Sequence, residues 1–307
     1  MTQLRPGVSG DQAIKALEEL ARGSLTNLWN QVPAQTDMAL PGTMLRLVVQ
    51  YDQWTTSAAH DLAKIFLDGS AAARLREGRY DHIVGRVGDP FGQARLLGTE
   101  LSELHGYFTV DAPNEFRELQ ARFQRHRGRT LVLDCNDLLH YQRFDKIPWA
   151  RLYGVGVVVV LPHVIVDEID TTAYNNASDK MRTRARGVYR LLEQLQDEID
   201  DKGYADLKDG ATLEILADDL GHQRVNNNDN ETVARAAYLQ QALDPGKVTV
   251  ITRDIGMRAR ARTWKLRAEP LSPKYLIPSD ALSVADLDMA VETITVRHTQ
   301  DQADPEV

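Results

Sequence analysis

The chain has 307 residues, enough for two domains of ordinary size, and its 43% hydrophobic content is that of a soluble globular protein. No stretch approaches the roughly 18 uninterrupted apolar residues of a membrane helix, and the single cysteine, Cys135, excludes a disulfide framework and a cysteine-based zinc site. The formal net charge of −8 argues weakly against nucleic acid as a partner, although arginines cluster in 117–129, 182–190 and 253–267 while the acidic excess lies elsewhere.

The opening MTQLRPGVSGDQ lacks the basic-then-apolar pattern of a secretory signal, and the lone cysteine fits a reducing cytoplasm. Residues 1–125 read as an all-helical N-terminal domain. Apolar residues at Ile14, Leu17, Leu20, Ala21 and Leu25 follow a helical period over 11–29. Leu45, Val48, Val49, Trp54, Ala58, Leu62, Ile65 and Phe66 do so over 45–67. Further helices are expected over 91–107 and 114–125, with breaks at Pro33, Pro41, Gly42, Gly69, Gly85, Gly88 and Pro90. No cluster here suggests chemistry, and Asp52 with His60 reads as a solvated pair.

At Arg129 the pattern becomes one of short β-rich runs alternating with helices. Strands are expected at 130–133, 154–161, 212–216, 247–252 and 266–270. Val155 and Val157–Val160 are the β-branched run of a strand buried on both faces. Helices are expected near 136–141, over 164–201 with an interruption around 175–179, and over 230–243 and 255–264. This alternation implies a three-layer α/β/α domain with a central parallel sheet over 126–278, followed by a partly disordered extension, 279–307.

Ligands of an open parallel sheet bind outside the carboxyl ends of its strands. LVLD puts Asp134 at the end of the first strand, and VTVITRD puts Asp254 just past the fourth. LPHVIVDE carries Glu168 on the helix after the second strand, and Asp229 in NNNDNETV stands at a helix start. Like charges brought together raise one another's pKa. Hard divalent ions such as Mg²⁺ or Mn²⁺ relieve that repulsion and promote phosphodiester cleavage through one or two ions.

The region 129–273 resembles the PIN domain family of ribonucleases. Four blocks carry the resemblance in the family's order: LVLDCNDLLH, LPHVIVDEID, NNNDNETVARAAYL and VTVITRDIGMRARA. It implies that Asp134, Glu168, Asp229 and Asp254 are the metal-binding catalytic acids, with Asn136 and Thr252 supporting them. Glu231 is the alternative to Asp229, because Thr232 stands where the family has a hydrophobic residue. The implied activity is a Mg²⁺- or Mn²⁺-dependent endoribonuclease acting on mainly single-stranded RNA, chemistry that also serves DNA.

Arg182, Arg184 and Arg186 in KMRTRARGVYR, and Arg258 beside the fourth acid, are expected to hold phosphates. The bland alternative is an ion-paired, solvated helix face. For Asp134 and Asp254 the bland role is helix capping. Cys135 reads as a core cysteine, Asp137, Asp167 and Asp170 as supporting or solvated groups, and His163 and His222 as isolated. Two other readings compete. One is a PIN-like domain used for RNA binding or assembly without catalysis. The other is a haloacid-dehalogenase-type phosphatase, disfavoured because Asn136 stands where that family needs a second Asp. The helical half is the natural place for a protein partner or self-association.

Overall fold

Periodic apolar stripes and well-formed helix ends build the N-terminal half. The computed structural model describes residues 3–33, 40–85 and 90–278. The break expected at Gly88 and the extension expected over 279–307 lie outside them. Helix α1 (Gly10–Leu20) starts at a capping box in which the Ser9 side chain and the Gln12 side chain each accept the other's backbone N–H. A π-helical turn, Ala21–Leu25, leads to α2 (Thr26–Gln31), and α3 (Pro41–Ile65) opens with proline in its first turn. There follow α4 (Ser70–Ala73), α5 (Tyr80–Gly85), α6 (Pro90–Gly106), a second π-helical turn, Tyr107–Asp111, and α7 (Ala112–Arg122).

On α3 the buried stripe is Met44, Leu47, Val48, Tyr51, Trp54, Ala58 and Leu62, whereas Leu45 and Val49 are exposed. The expected stripe was rotated at its start, because Met44 and Tyr51 continue the i, i+3, i+4 spacing inward and Leu45 and Val49 do not. Asp52 accepts a hydrogen bond from the Tyr80 hydroxyl, so it is not half of a solvated pair with His60. Glu100 is fully buried, with Arg79 Nη1 3.3 Å away and Arg74 Nη1 3.9 Å away. Burial raises its pKa and the two guanidiniums pull it back.

The second half is a sheet alternating with helices. Strand β1 (Thr130–Leu133) is followed by α8 (Cys135–His140), α9 (Trp149–Tyr153) and β2 (Val158–Pro162). Helices α10 (His163–Asn175) and α11 (Asp179–Lys202) are separated by the expected interruption, and Ser178 caps α11. Next come β3 (Ala205–Asp206), β4 (Thr212–Leu216), α12 (Asn228–Ala242), β5 (Val248–Ile251), α13 (Ile255–Thr263) and β6 (Arg267–Glu269).

The strand order is β3-β4-β2-β1-β5-β6. The pairs β1–β2, β2–β4 and β5–β6 are parallel, and β3 joins β4 antiparallel. This two-residue edge strand is too short to show a period in sequence. Leu131, Leu133, Val157, Val159, Leu161 and Leu213 share one core with α8, α10 and α11, while Val132, Val158 and Val160, which point the other way, are buried too. Strand β2 begins four residues later than expected, because Gly154 and Gly156 adopt φ of 103° and 75° in a turn that leaves Val155 exposed. Gly128 lies so close to that turn that a Cβ would come within 2.5 Å of the Gly156 carbonyl group.

The described chain forms two compact units. One comprises residues up to His126 with Ala236–Val248 and Thr263–Leu266; the other comprises Arg127–Arg235, Thr249–Arg262 and the chain from Arg267. No helix of the described residues is long and apolar enough to cross a membrane.

Candidate functional site

The carboxyl ends of β1 and β5, neighbours at the point where the strand order reverses, carry Asp134 and the segment Thr252–Asp254. Asp134 is 3% exposed and sits at the N-cap position of α8. Its Oδ2 accepts a hydrogen bond from Thr252 Oγ1 at 2.8 Å, and Thr252 Oγ1 in turn accepts the Asp254 backbone N–H at 3.0 Å. Fully buried Thr252 therefore links the first and fourth candidate acids.

Burial raises the pKa of Asp134, and the charge of Asp229 pushes it further; the Thr252 hydroxyl and the backbone N–H groups of Asn136 and Cys135 work against the shift. Glu168, half-buried on α10, is raised by burial and by Asp134 and Asp229, while hydrogen bonds with Asn228 and Cys135 lower it. Asp134, Glu168 and Asp229 thus feel one another's charge. Of the two α12 acids, Asp229 is among the main influences on both of the others. Asp254 is exposed, and its Oδ1 caps α13 by accepting the Met257 N–H. The capping role is real there; a carboxylate keeps further lone pairs for other partners.

Several neighbours were not legible beforehand. The buried Cys135 thiol is a core residue, as expected, but it also hydrogen-bonds Glu168, and burial together with Glu168 and Asp134 drives its pKa up, so it is no nucleophile at neutral pH. Asp137 is 5% exposed, neither of its oxygens has a hydrogen-bond partner, and burial and the Asp134 charge push its pKa up to about 8. Of the two roles expected for it, supporting or solvated, its burial beside Asp134 leaves the first. Asn136 is exposed and contributes its backbone N–H.

Among the arginines expected to meet phosphate, Arg182 pairs with Asp179 and the Asn176 carbonyl. Arg184 Nη1 donates to the Leu139 carbonyl at 3.1 Å, and Arg186 Nε to the Ala173 carbonyl at 3.1 Å. These contacts tie helix ends together, although a guanidinium has five donors and retains some for a phosphate. On α13 the arginine that meets the acids is Arg260, which donates to Asp229 Oδ2; Arg258 has a buried Nε without a partner.

A second group was missed. Asp218, His222 and Glu231 bring one ligand atom each to within 4.8 Å of one another, and among the described residues this is the group of three metal-ligating side chains so closely drawn together. The four candidate acids lie in a looser arrangement. His222 is not isolated, since its Nε2 lies 2.8 Å from Glu231 Oε1. Asp167 is exposed and paired with Arg224 and His163. The missed group shows no motif, because loop and helix residues at uneven spacing meet only when the loop folds back.

Residues 131–272 match the family model for the PIN domain. No curated protein sequence matches the chain. The family-model match supports a nuclease-type fold for residues 131–272, and the mostly parallel sheet found there agrees with a PIN domain.

Proposed function

We propose that the chain is a metal-dependent endoribonuclease that cleaves mainly single-stranded RNA, with DNA open to the same chemistry. The observation that carries this reading is that buried Asp134 stands at the carboxyl end of β1, tied through Thr252 to Asp254, with Glu168 and Asp229 close enough to act on it; burial first, and the neighbouring acids second, hold Asp134 and Glu168 above the ordinary carboxylate range. Acids that act on one another across a site fit a dication, whose charge would remove their repulsion. Asp134, Glu168, Asp229 and Asp254 would hold Mg²⁺ or Mn²⁺. A bound ion of this kind acidifies a water and neutralises charge on the phosphate.

The protein's own part is to prepare the site. Thr252 fixes the Asp134 carboxylate by hydrogen bonding and orders the backbone at Asp254. Cys135 and Asn228 orient Glu168. Arg260 holds Asp229 and stands ready to turn toward a phosphate when Asp229 takes a metal. Arg182, Arg184, Arg186 and Arg258 are the further candidates for backbone contacts, which would position RNA without reading its sequence. The single buried cysteine suits a cytoplasmic setting. The helical unit is assigned to a protein partner or self-association.

The test is cleavage of a fluorescently labelled single-stranded RNA with Mg²⁺ or Mn²⁺, compared between the wild type and Asp134→Asn. Metal-dependent cleavage that the substitution removes supports the reading. Cleavage by Asp134→Asn at the wild-type rate, or RNA binding without metal-dependent cleavage by the wild type, overturns it.

A further inference from the structure

The loop between β4 and α12, residues 217–227, is held almost entirely by polar groups. Nine of its eleven residues are exposed, and the two drawn inward are Asp218 and His222. Leu220, the largest apolar side chain of the loop, is fully exposed, so hydrophobic burial does not anchor it. What the loop meets instead is Glu231, a carboxylate with 0% residue exposure in the first turn of α12. Glu231 Oε1 faces His222 Nε2 at 2.8 Å, and Oε2 accepts the Val225 backbone N–H at 2.8 Å.

Asp218 completes the cluster. Its Oδ2 accepts Arg224 Nε at 2.6 Å, while its Oδ1 is buried and has no hydrogen-bond partner. Arg224 also donates to Asp167 at 2.6 Å and lies 3.2 Å from His163 Nδ1, so it braces Asp218 from outside. An orphaned buried carboxylate oxygen is costly unless something cationic meets it. One imidazole nitrogen and two carboxylate oxygens within 4.8 Å of one another offer such a place.

We propose that Asp218, His222 and Glu231 form a second divalent-cation site of the zinc class, which clips loop 217–227 to the first turn of α12. The donor set selects the metal. Mg²⁺ and Ca²⁺ prefer oxygen ligands alone, whereas an imidazole with two carboxylates suits Zn²⁺ and its first-row neighbours. Tetrahedral ligands at zinc bond lengths stand about 3.3 Å apart, so the His222–Glu231 pair, 2.8 Å apart, opens slightly and the wider separations in the cluster close. For His222 to ligate through Nε2, the hydrogen it shares with Glu231 leaves that nitrogen, either by moving to Nδ1 or by release to solvent. Three protein ligands leave a fourth position for water. The braced Asp218–Arg224 contact then serves as the outer support that metal-bound carboxylates commonly have. The site shares no ligand with the four acids proposed for RNA cleavage, and it stands or falls separately from them.

The experiment uses the full chain stripped of metal, with Co²⁺ as a spectroscopic probe and Zn²⁺ as competitor. The wild type and Asp134→Asn should both develop the visible absorption of four-coordinate Co²⁺, bleached by one equivalent of Zn²⁺. His222→Ala and Asp218→Asn should each weaken Zn²⁺ binding by at least about 100-fold. Zn²⁺ should raise the melting temperature of the wild type but of neither variant. Two variants that remove different ligands guard against one that fails to fold. Absence of the Co²⁺ band in the wild type, or equal binding by folded His222→Ala and the wild type, overturns the proposal and leaves an ordinary histidine–glutamate hydrogen bond. Loss of the band in Asp134→Asn overturns it as well, by assigning the ion to the other acids.

Discussion

Glu100 in the helical unit and Asp134 in the PIN domain are both buried carboxylates with pKa values pushed upward, yet their surroundings are opposite. Glu100 meets two guanidiniums, from Arg74 and Arg79. The groups acting on Asp134 are a hydroxyl, two backbone N–H groups and a second carboxylate, Asp229. A buried acid surrounded by cations is a closed structural unit. A buried acid that faces another acid lacks that compensation, which fits the dication proposed for the site. Burial and a raised pKa alone do not separate the two; the sign of the neighbours does.

The sharpest break of this comparison exchanges charge for amide at each place. Asp134→Asn should lower metal-dependent RNA cleavage by about 10³-fold. Its metal-free thermal stability should be retained, because the amide removes a repulsion and keeps the shape. Glu100→Gln should leave cleavage unchanged but cost about 2–3 kcal/mol in a urea melt, below the full value for a buried ion pair because both arginines are partly exposed. If the two substitutions behaved alike, the distinction between them would be lost.

Metal addition sharpens the comparison from the other side. At about 100 times its dissociation constant, Mn²⁺ should stabilise the wild type by about 2.7 kcal/mol, read as a shift of the urea midpoint. Glu100→Gln should show the same gain, and Asp134→Asn little of it.

The smallest effect concerns Asp137, whose pKa is pushed up to about 8. A carboxyl raised on folding contributes stability below its unfolded pKa, near 4, and that contribution is lost as the pH rises through the folded value. Asp137→Asn has nothing to deprotonate. It should match the wild type at pH 4 and be the more stable of the two at pH 9, in metal-free chemical denaturation. A constant difference across that range would remove Asp137 from the buried acids.

Much of the α/β order was legible because strands and helices leave different periods. Val157–Val160 could be read as a buried strand, and the break between α10 and α11 as an interruption of a long helix. Asp134 and Asp254 could be placed because strand ends are positions along a chain. The limits appear wherever the answer depends on three-dimensional return. Leu45 and Val49 looked buried and are not, because one apolar residue more or less rotates a stripe. The Cys135–Glu168 and Arg260–Asp229 contacts join different elements, and no local pattern announces them. His222 looked isolated because its partner lies nine residues on, across a loop without periodicity.

The first turn of α12 holds Asp229 and Glu231, two positions apart and so about 200° around the helix. One acid belongs with Asp134 and Glu168, the other with His222 and Asp218. If both proposed sites take ions, a turn shared in this way acts as a balance beam between their preferences. If an ion at one end shifts the turn, the affinity at the other end changes, and thermodynamic reciprocity requires the converse change to be equal. The metal held by the acids proposed for cleavage would then depend on the trace-metal content of the solution as well as on those acids.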